Sequence, residues 1–207
     1  MTLDQYRSTA KRVVDPFVSL SVRLGLTPNG VSVAAVVLAG AAGLAFALAA
    51  TTRLLYLVGA VLVLGNGMLD LLDGELAREL GTDSDAGDLL DHVLDRYADV
   101  LLLVGLAAGT GQYALGLGAV TGVLMTSYLG TQAQAVGLDR VYGGLVGRAD
   151  RLAVIGVGAA AAAFLPTTVA AGPLGRLGLV GGLLAFFTVI GHLTALQRFY
   201  YAYRELT

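Results

Sequence analysis

The sequence of 207 residues contains no cysteine, only two histidines and few charged residues. Without cysteine the chain has no disulfide, no thiolate metal ligand and no cysteine nucleophile, so a bound metal must be held by oxygen or by histidine. Charged residues make up only 14% of the chain, 56% of it is hydrophobic, and the mean hydropathy is +0.75. This composition lies outside the usual range of soluble globular domains and predicts an integral membrane protein.

Six apolar runs approach the roughly 20 mostly apolar residues that a membrane-spanning helix needs. They cover about 31–50, 54–78, 86–110, 114–136, 151–170 and 177–202. Before them, apolar residues between Tyr6 and Leu24 alternate with basic residues at roughly helical spacing, which predicts an amphipathic helix at the membrane surface. We therefore expect an all-α integral membrane protein with one domain over residues 1–207. Its interfacial helix would lie within 1–29, and its bundle of six transmembrane helices within 30–203.

The basic residues indicate an orientation, because Lys and Arg accumulate on the cytoplasmic side of membrane proteins. With the N-terminus inside and six spans, only Arg53 and Arg176 of the 13 basic residues lie outside. The other eleven are Arg7, Lys11, Arg12, Arg23, Arg78, Arg96, Arg140, Arg148, Arg151, Arg198 and Arg204. This orientation turns the junction of the second and third spans towards the cytoplasm. No nucleic-acid partner is expected.

Ten of the 15 acidic residues lie between Asp70 and Asp99, at that junction. A charge at the bilayer centre costs about 2.5–3.5 kcal/mol on insertion scales, so clustered carboxylates there need water, partners or metal. On helices, Asp70 and Asp73 would share one face, and Asp91 and Asp95 would share another. Two helices joined by a short turn would bring the four carboxylates together, and an all-oxygen site suits Mg²⁺, Mn²⁺ or Ca²⁺.

The neighbouring residues fit a phosphate-bearing substrate at this site. Two divalent ions about 3.5–4 Å apart can clamp a pyrophosphate and stabilise charge during displacement at phosphorus. Gly74, Ala77 and Gly87 leave room on the same helix faces. Arg78 is placed to donate a forked pair of hydrogen bonds to a phosphate.

The stretch resembles the signature of the CDP-alcohol phosphotransferase family, D-x2-D-G-x2-A-R-x8-G-x3-D-x3-D. Every fixed position is filled, by Asp70, Asp73, Gly74, Ala77, Arg78, Gly87, Asp91 and Asp95. The resemblance extends to the six-span layout, to the amphipathic N-terminal helix and to Thr27-Pro28-Asn29 before the first span. It therefore covers essentially the whole chain.

The resemblance implies a reaction of phospholipid biosynthesis at the cell membrane. An acceptor hydroxyl would attack the lipid-side phosphorus of a CDP-linked lipid and release CMP, with two Mg²⁺ or Mn²⁺ ions bound. It implies metal ligation by Asp70, Asp73, Asp91 and Asp95, with Asp95 also taking the proton of the acceptor. It further implies CDP-lipid binding by Asp70, Gly74, Ala77, Arg78 and Gly87, and a homodimer formed through transmembrane helices.

The acceptor must be recognised outside the shared signature, and Gln132, Arg148 and Arg151 are the candidates. The two arginines begin the fifth span and are suited to a phosphorylated acceptor. The segments around 130–134 and 147–151 resemble the archaeal branch of the family, the archaetidylinositol phosphate synthases, which would use CDP-archaeol rather than CDP-diacylglycerol. Gln132 stands where members that use inositol phosphate have a basic residue, which leaves glycerol phosphate or serine as alternative acceptors.

Other interpretations of the acidic stretch stay open at this point. Asn66, Asp70 and Asp73 loosely resemble the diphosphate-binding motif of membrane prenyltransferases, although those proteins lack the Gly-x2-Ala-Arg continuation. A cation carrier could also line a path with carboxylates. Asp83, Asp85 and Asp88 are expected in a solvated turn and helix start. Asp99 either extends the acidic face or pairs with a buried arginine.

Overall fold

The computed structural model describes residues 7–138, 146–172 and 176–207, with side chains from residue 14 onward, so that Arg140 lies outside the described residues. These ranges contain seven helices and one pair of strands. In chain order they are α1 (Arg7–Arg23), α2 (Pro28–Leu48), α3 (Leu54–Leu80), α4 (Asp85–Thr110), α5 (Tyr113–Ala135), α6 (Arg148–Phe164), β1 (Thr168–Ala170), β2 (Arg176–Gly178) and α7 (Leu179–Leu206).

The predicted helical membrane fold is confirmed, because helices α2 to α7 follow the six apolar runs. Four of the described helices, α2, α3, α5 and α7, are long and apolar enough to cross a membrane. Helix α6 has only 17 residues, and the central part of α4 carries Asp95, Arg96 and Asp99. Six crossings therefore stay a prediction. The predicted N-terminal helix exists as α1, and its position at the membrane surface also stays a prediction.

Helix α6 ends at Phe164, before the predicted end of the fifth apolar run. The cause is Pro166, which disfavours helical backbone at the preceding residue. Leu165 accordingly has φ −109° and ψ 92°, an extended conformation. The chain then forms an unpredicted antiparallel strand pair in which Thr168 faces Gly178.

Two pairs of glycines allow helices to approach closely inside the bundle. Gly43 on α2 faces Gly105 on α4, and a Cβ added to Gly105 would lie 2.5 Å from the Cα of Gly43. Gly122 on α5 faces Gly191 on α7 in the same way, with the Cβ position of Gly191 only 2.8 Å from the Gly122 carbonyl carbon. Small residues at such crossings are typical of helix packing in lipid. The abundant glycine within the apolar runs therefore serves backbone packing at these points.

Helix α1 lies against the acidic half of α3. Val14 and Val18 are buried, and they cluster with Val31 of α2 and with Leu72 and Leu76 of α3. Phe17 and Leu20 remain exposed on the other side of α1. One apolar face of α1 thus covers the segment that carries Asp70 and Asp73.

Replacing Gly191 with alanine is expected to destabilise the fold, because the new methyl group meets the Gly122 backbone rather than a flexible side chain. Overpacking of this kind costs about 1–3 kcal/mol. The matched control is Gly182→Ala on the same helix, where a Cβ has no neighbour within 4 Å among the described residues. Thermal unfolding in detergent should give a lower Tm for Gly191→Ala only. Equal Tm values for the two variants would contradict the close crossing.

Candidate active site

The acidic residues are brought into place by the turn between α3 and α4. Gly81 ends α3 in the left-handed conformation, with φ 61°, and its N–H is bonded to carbonyl groups of the last turn. Ser84 begins α4 as its N-cap, and its Oγ accepts a hydrogen bond from the N–H of Gly87 at 3.2 Å. Helix α2 packs against both α3 and α4. Short-range capping and one shared neighbour therefore fix how the two acidic helix ends face each other.

Three of the four predicted metal-binding carboxylates converge. Asp70 of α3 and Asp91 and Asp95 of α4 each offer one oxygen, and these three oxygens lie within 4.8 Å of one another. All three residues are partly buried. The spacing of hard carboxylate oxygens and the incomplete burial suit a divalent ion such as Mg²⁺ or Mn²⁺, which also keeps water and phosphate oxygens as ligands.

Asp73 is close in sequence to this group but uses its carboxylate differently. The residue is buried, and its Oδ2 accepts a hydrogen bond from the Ser32 hydroxyl at 2.6 Å. Ser32 lies on α2 and is itself buried, 41 residues earlier in the chain. No local pattern in the sequence marks Ser32, so its contact with Asp73 was missed.

Arg148 joins the two acidic helices from the first residue of α6. Its guanidinium forms ion pairs with Asp70 Oδ1 and, at 2.7 Å, with Asp95 Oδ1. The start of α6 is held by Asp150, whose Oδ2 accepts a hydrogen bond from the N–H of Gly147 at 2.8 Å. Arg148, predicted to bind the acceptor, thus touches two of the three converging carboxylates.

A second ion-pair group lies one helical turn further along α4, around Asp99. The carboxylate of Asp99 is buried and accepts a hydrogen bond from Arg151 Nη2 at 2.7 Å. Arg96 bridges the two groups, with Nη1 3.4 Å from Asp99 Oδ2 and Nη2 3.6 Å from Asp95 Oδ2. Of the two interpretations of Asp99, the buried partner of an arginine is confirmed. Arg96 occupies no motif position, and the sequence indicated only its side of the membrane.

The charges of the two groups do not cancel. When Asp73 is counted with the two groups and all are ionised, the five carboxylates outnumber the three guanidinium groups by two negative charges. They are Asp70, Asp73, Asp91, Asp95 and Asp99, and Arg96, Arg148 and Arg151. Clustered carboxylates in a weakly polarisable surrounding repel one another, so the excess favours binding of divalent cations.

The other predicted substrate-binding residues differ in exposure. Gly74, Ala77 and Gly87 are partly buried, and a Cβ on Gly74 would meet no described atom nearer than 3.7 Å. Arg78 is exposed and forms an ion pair with Glu75 at 2.6 Å. Gln132 is exposed near the end of α5. Asp83, Asp85 and Asp88 are exposed, as expected for a solvated turn and helix start.

An apolar cavity of about 230 Å³ lies next to the acidic end of α3, between α1, α2 and α3. Its lining residues are Val14, Phe17, Leu38, Gly65, Met68, Leu69 and Leu72. Leu69 and Leu72 flank Asp70 in sequence, so this cavity adjoins the polar site. A polar centre beside an apolar cavity is an arrangement suited to an amphiphilic ligand.

A family model described as CDP-alcohol phosphatidyltransferase matches residues 25–197, a range that includes every residue of the site. The chain belongs to the CDP-alcohol phosphatidyltransferase family. This membership confirms the resemblance found in the sequence and identifies the chain as an enzyme that transfers substituted phosphate groups. It decides against a prenyltransferase and against a cation carrier.

Individual relatives are similar over most of the chain. The archaetidylinositol phosphate synthase of Methanothermobacter thermautotrophicus is 28% identical over 206 residues, which is 99% of this chain and 95% of the relative. The phosphatidylinositol phosphate synthase of Streptomyces avermitilis is 34% identical over 161 residues, 73% of this chain and 64% of the relative.

Solved structures share the fold. The phosphatidylinositol phosphate synthase of Mycobacterium tuberculosis with CDP-DAG bound has a TM-score of 0.76 at 26% identity, covering 93% of this chain and 94% of that one. The same protein in complex with manganese and citrate also has a TM-score of 0.76, at 25% identity, covering 92% and 88% of the two chains.

Asp91→Asn is expected to weaken Mn²⁺ binding, because it removes one anionic oxygen donor from the converging group. Loss of residues that merely orient metal ligands costs about 10–100-fold in affinity, so loss of a ligand should cost at least tenfold. The measurement is a titration of free Mn²⁺ by electron paramagnetic resonance with purified protein. Asp88→Asn, exposed one turn earlier on α4, is the control and should bind as the parent does. Equal affinity in Asp91→Asn would remove Asp91 from the metal site.

Proposed function

We propose that the protein transfers an archaetidyl or phosphatidyl group from a CDP-linked lipid to a hydroxyl group of inositol phosphate, releasing CMP. The observation that carries the proposal is the convergence of Asp70, Asp91 and Asp95 with the guanidinium of Arg148. Similarity to an archaetidylinositol phosphate synthase over nearly the whole chain supports inositol phosphate as the acceptor and CDP-archaeol as the donor. The CDP-DAG complex of a structural neighbour keeps CDP-diacylglycerol as the alternative donor.

Asp70, Asp73, Asp91 and Asp95 would hold two Mg²⁺ or Mn²⁺ ions. When bound, such ions neutralise the pyrophosphate and the charge that develops on departing CMP. Asp73 can take part while one of its oxygens stays bonded to Ser32, because a carboxylate has a second oxygen to offer. Ser32 would then orient this ligand, as hydrogen-bond donors commonly do around metal sites.

Asp95 would act as the base. The acceptor oxygen forms a bond to the lipid-side phosphorus, the bond from that phosphorus to the CMP oxygen breaks, and the hydroxyl proton passes to Asp95. Both oxygens of this carboxylate face arginines, Arg148 at 2.7 Å and Arg96 at 3.6 Å, which hold its orientation. A base as weak as a carboxylate is sufficient here, because the bound metal ions would neutralise the phosphate of the departing CMP.

The donor would lie across the boundary between the polar site and the apolar cavity. Asp70, Gly74, Ala77, Arg78 and Gly87 are the proposed contacts for the CDP part. Arg78 would exchange its partner Glu75 for a phosphate, which is feasible because the Arg78 side chain is 52% exposed and ion pairs at the surface are weak. The hydrocarbon of the lipid would enter the cavity between α1, α2 and α3.

Arg148, Arg151 and Gln132 are the proposed acceptor residues. Arg148 touches Asp95, so an acceptor phosphate on this arginine would lie beside the proposed base. Gln132 is suited to hydroxyl groups, and it keeps glycerol phosphate and serine as alternative acceptors. The protein would lie in the cell membrane with six crossings and its site facing the cytoplasm, and it would form a homodimer through its transmembrane helices.

Purified protein with Mg²⁺ or Mn²⁺ is expected to release CMP from a CDP-lipid, and Asp95→Asn should reduce the rate by about 10²–10⁴-fold through loss of the base. CMP release is measured with CDP-archaeol and CDP-diacylglycerol. The control is Asp83→Asn, an exposed residue of the α3–α4 turn, which should retain the parent rate. A fully active Asp95→Asn would exclude Asp95 as the base.

Acceptor choice is tested with inositol phosphate, glycerol phosphate and serine in the same assay. We expect product with inositol phosphate, and we expect Arg148→Ala to raise the KM for this acceptor by about tenfold or more through loss of a charge-assisted hydrogen bond. The KM for the CDP-lipid should rise less than the KM for the acceptor, because only Asp70 links Arg148 to the proposed CDP contacts. Turnover with serine or glycerol phosphate but not with inositol phosphate would show that the acceptor assignment is wrong.

A further inference from the structure

We propose that Asp99 is a positioning residue for the acceptor, acting through Arg151. The inference rests on the proposed role of Arg151 in binding the acceptor phosphate. Asp99 belongs to no fixed position of the family signature, and it lies one helical turn beyond Asp95 on α4. Its carboxylate would set the orientation in which Arg151 meets the acceptor.

Asp99 and Arg151 depend on each other because both are buried. Asp99 is 2% exposed and Arg151 6% exposed, and Arg151 Nη2 donates to Asp99 Oδ2 at 2.7 Å. A buried charge without its partner is strongly unfavourable, so each group fixes the conformation of the other. Arg96 Nη1 lies 3.4 Å from the same oxygen of Asp99 and holds the carboxylate from the other side.

The side chain of Arg151 also lines a small cavity whose other walls are mostly apolar. Arg151 Nε and Thr194 Oγ1 are buried, and neither has a hydrogen-bond partner among the described residues. Both residues line a cavity of about 10 Å³ between α5, α6 and α7. Buried polar groups are nearly always satisfied, and about 10 Å³ has room for one water-sized group, so a single oxygen atom is the partner that suits this place. Arg151 therefore holds Asp99 with one nitrogen and presents another to the cavity.

Asp99 also gives the two arginines of α6 separate carboxylate partners. Arg148 is engaged by Asp70 and Asp95, whereas Arg151 is engaged by Asp99. Without the Asp99 carboxylate, the next carboxylate along this side of α4 is Asp95, and Arg151 would turn towards it. Loss of Asp99 should thus weaken acceptor binding, while CDP-lipid binding should depend on it little.

The test is a steady-state comparison of Asp99→Asn with the parent protein, with inositol phosphate as the varied acceptor. We expect the KM for inositol phosphate to rise by about tenfold, the cost of misplacing one charge-assisted donor. The KM for the CDP-lipid should stay within about twofold, which separates a loss of acceptor binding from a general loss of structure. Asp85→Asn, at the exposed start of α4, is the control and should match the parent. Equal rises in both KM values, or no rise in either, would overturn the proposal.

A double-mutant cycle with Arg151→Gln tests whether Asp99 acts through Arg151. If it does, Asp99→Asn adds no further rise in the acceptor KM once Arg151 is replaced. Additive effects in the cycle would overturn the proposal. A normal acceptor KM in Arg151→Gln alone would instead show that the acceptor assignment of Arg151 is wrong, so the two failures are distinguishable.

If Asp99→Asn fails to fold, Asp99→Glu provides a second test of the proposal. Glutamate retains the charge that Arg151 requires, but its longer side chain shifts the point of contact. We expect a folded protein whose KM for inositol phosphate is raised while its KM for the CDP-lipid is not. A folded Asp99→Glu with both KM values unchanged would overturn the proposal.

Discussion

Compensation of buried carboxylates is the constraint on which this structure depends. Five aspartates lie on the adjoining halves of α3 and α4, fully or partly buried, where unpaired charges are costly. Three arginines pair with three of these aspartates: Arg148 lies between Asp70 and Asp95, Arg96 between Asp95 and Asp99, and Arg151 on Asp99. The remaining negative excess favours cation binding by Asp70, Asp91 and Asp95, whereas Asp99 is held in an ion pair with Arg151.

Helix caps and the packing of α2 hold the acidic segments in place. The left-handed Gly81 ends α3, the Ser84 cap begins α4, and the Thr27 cap begins α2, whose Ser32 then reaches Asp73. Helix α2 packs against both acidic helices, and Gly43 and Gly105 allow it to approach α4 closely. Helices, rather than a long loop, therefore carry the converging carboxylates, which favours precise geometry at the candidate site.

Much of the site could be predicted because its spacing is local. Asp91 and Asp95 share a face whenever their segment is helical, and the short turn at residues 81–84 lets this face meet Asp70 on the preceding helix. Contacts between residues far apart in the sequence leave no local pattern from which to predict them. Ser32 and Asp73 are 41 residues apart, and Arg151 and Asp99 are 52 apart. Hydropathy located the helices, but it could not show that the apolar run after Arg151 breaks at Pro166 into a strand pair. Nor does it decide whether α4, which carries several charges, and the short α6 cross the membrane.

The most direct test of the account is a crystal structure of the protein grown with Mn²⁺, with data collected at the manganese absorption edge. Anomalous scattering locates manganese independently of any assumption about ligands. The account predicts anomalous peaks among the carboxylates of Asp70, Asp91 and Asp95, with Asp99 still paired to Arg151. Manganese bound elsewhere, with these three carboxylates occupied only by arginine, would contradict it.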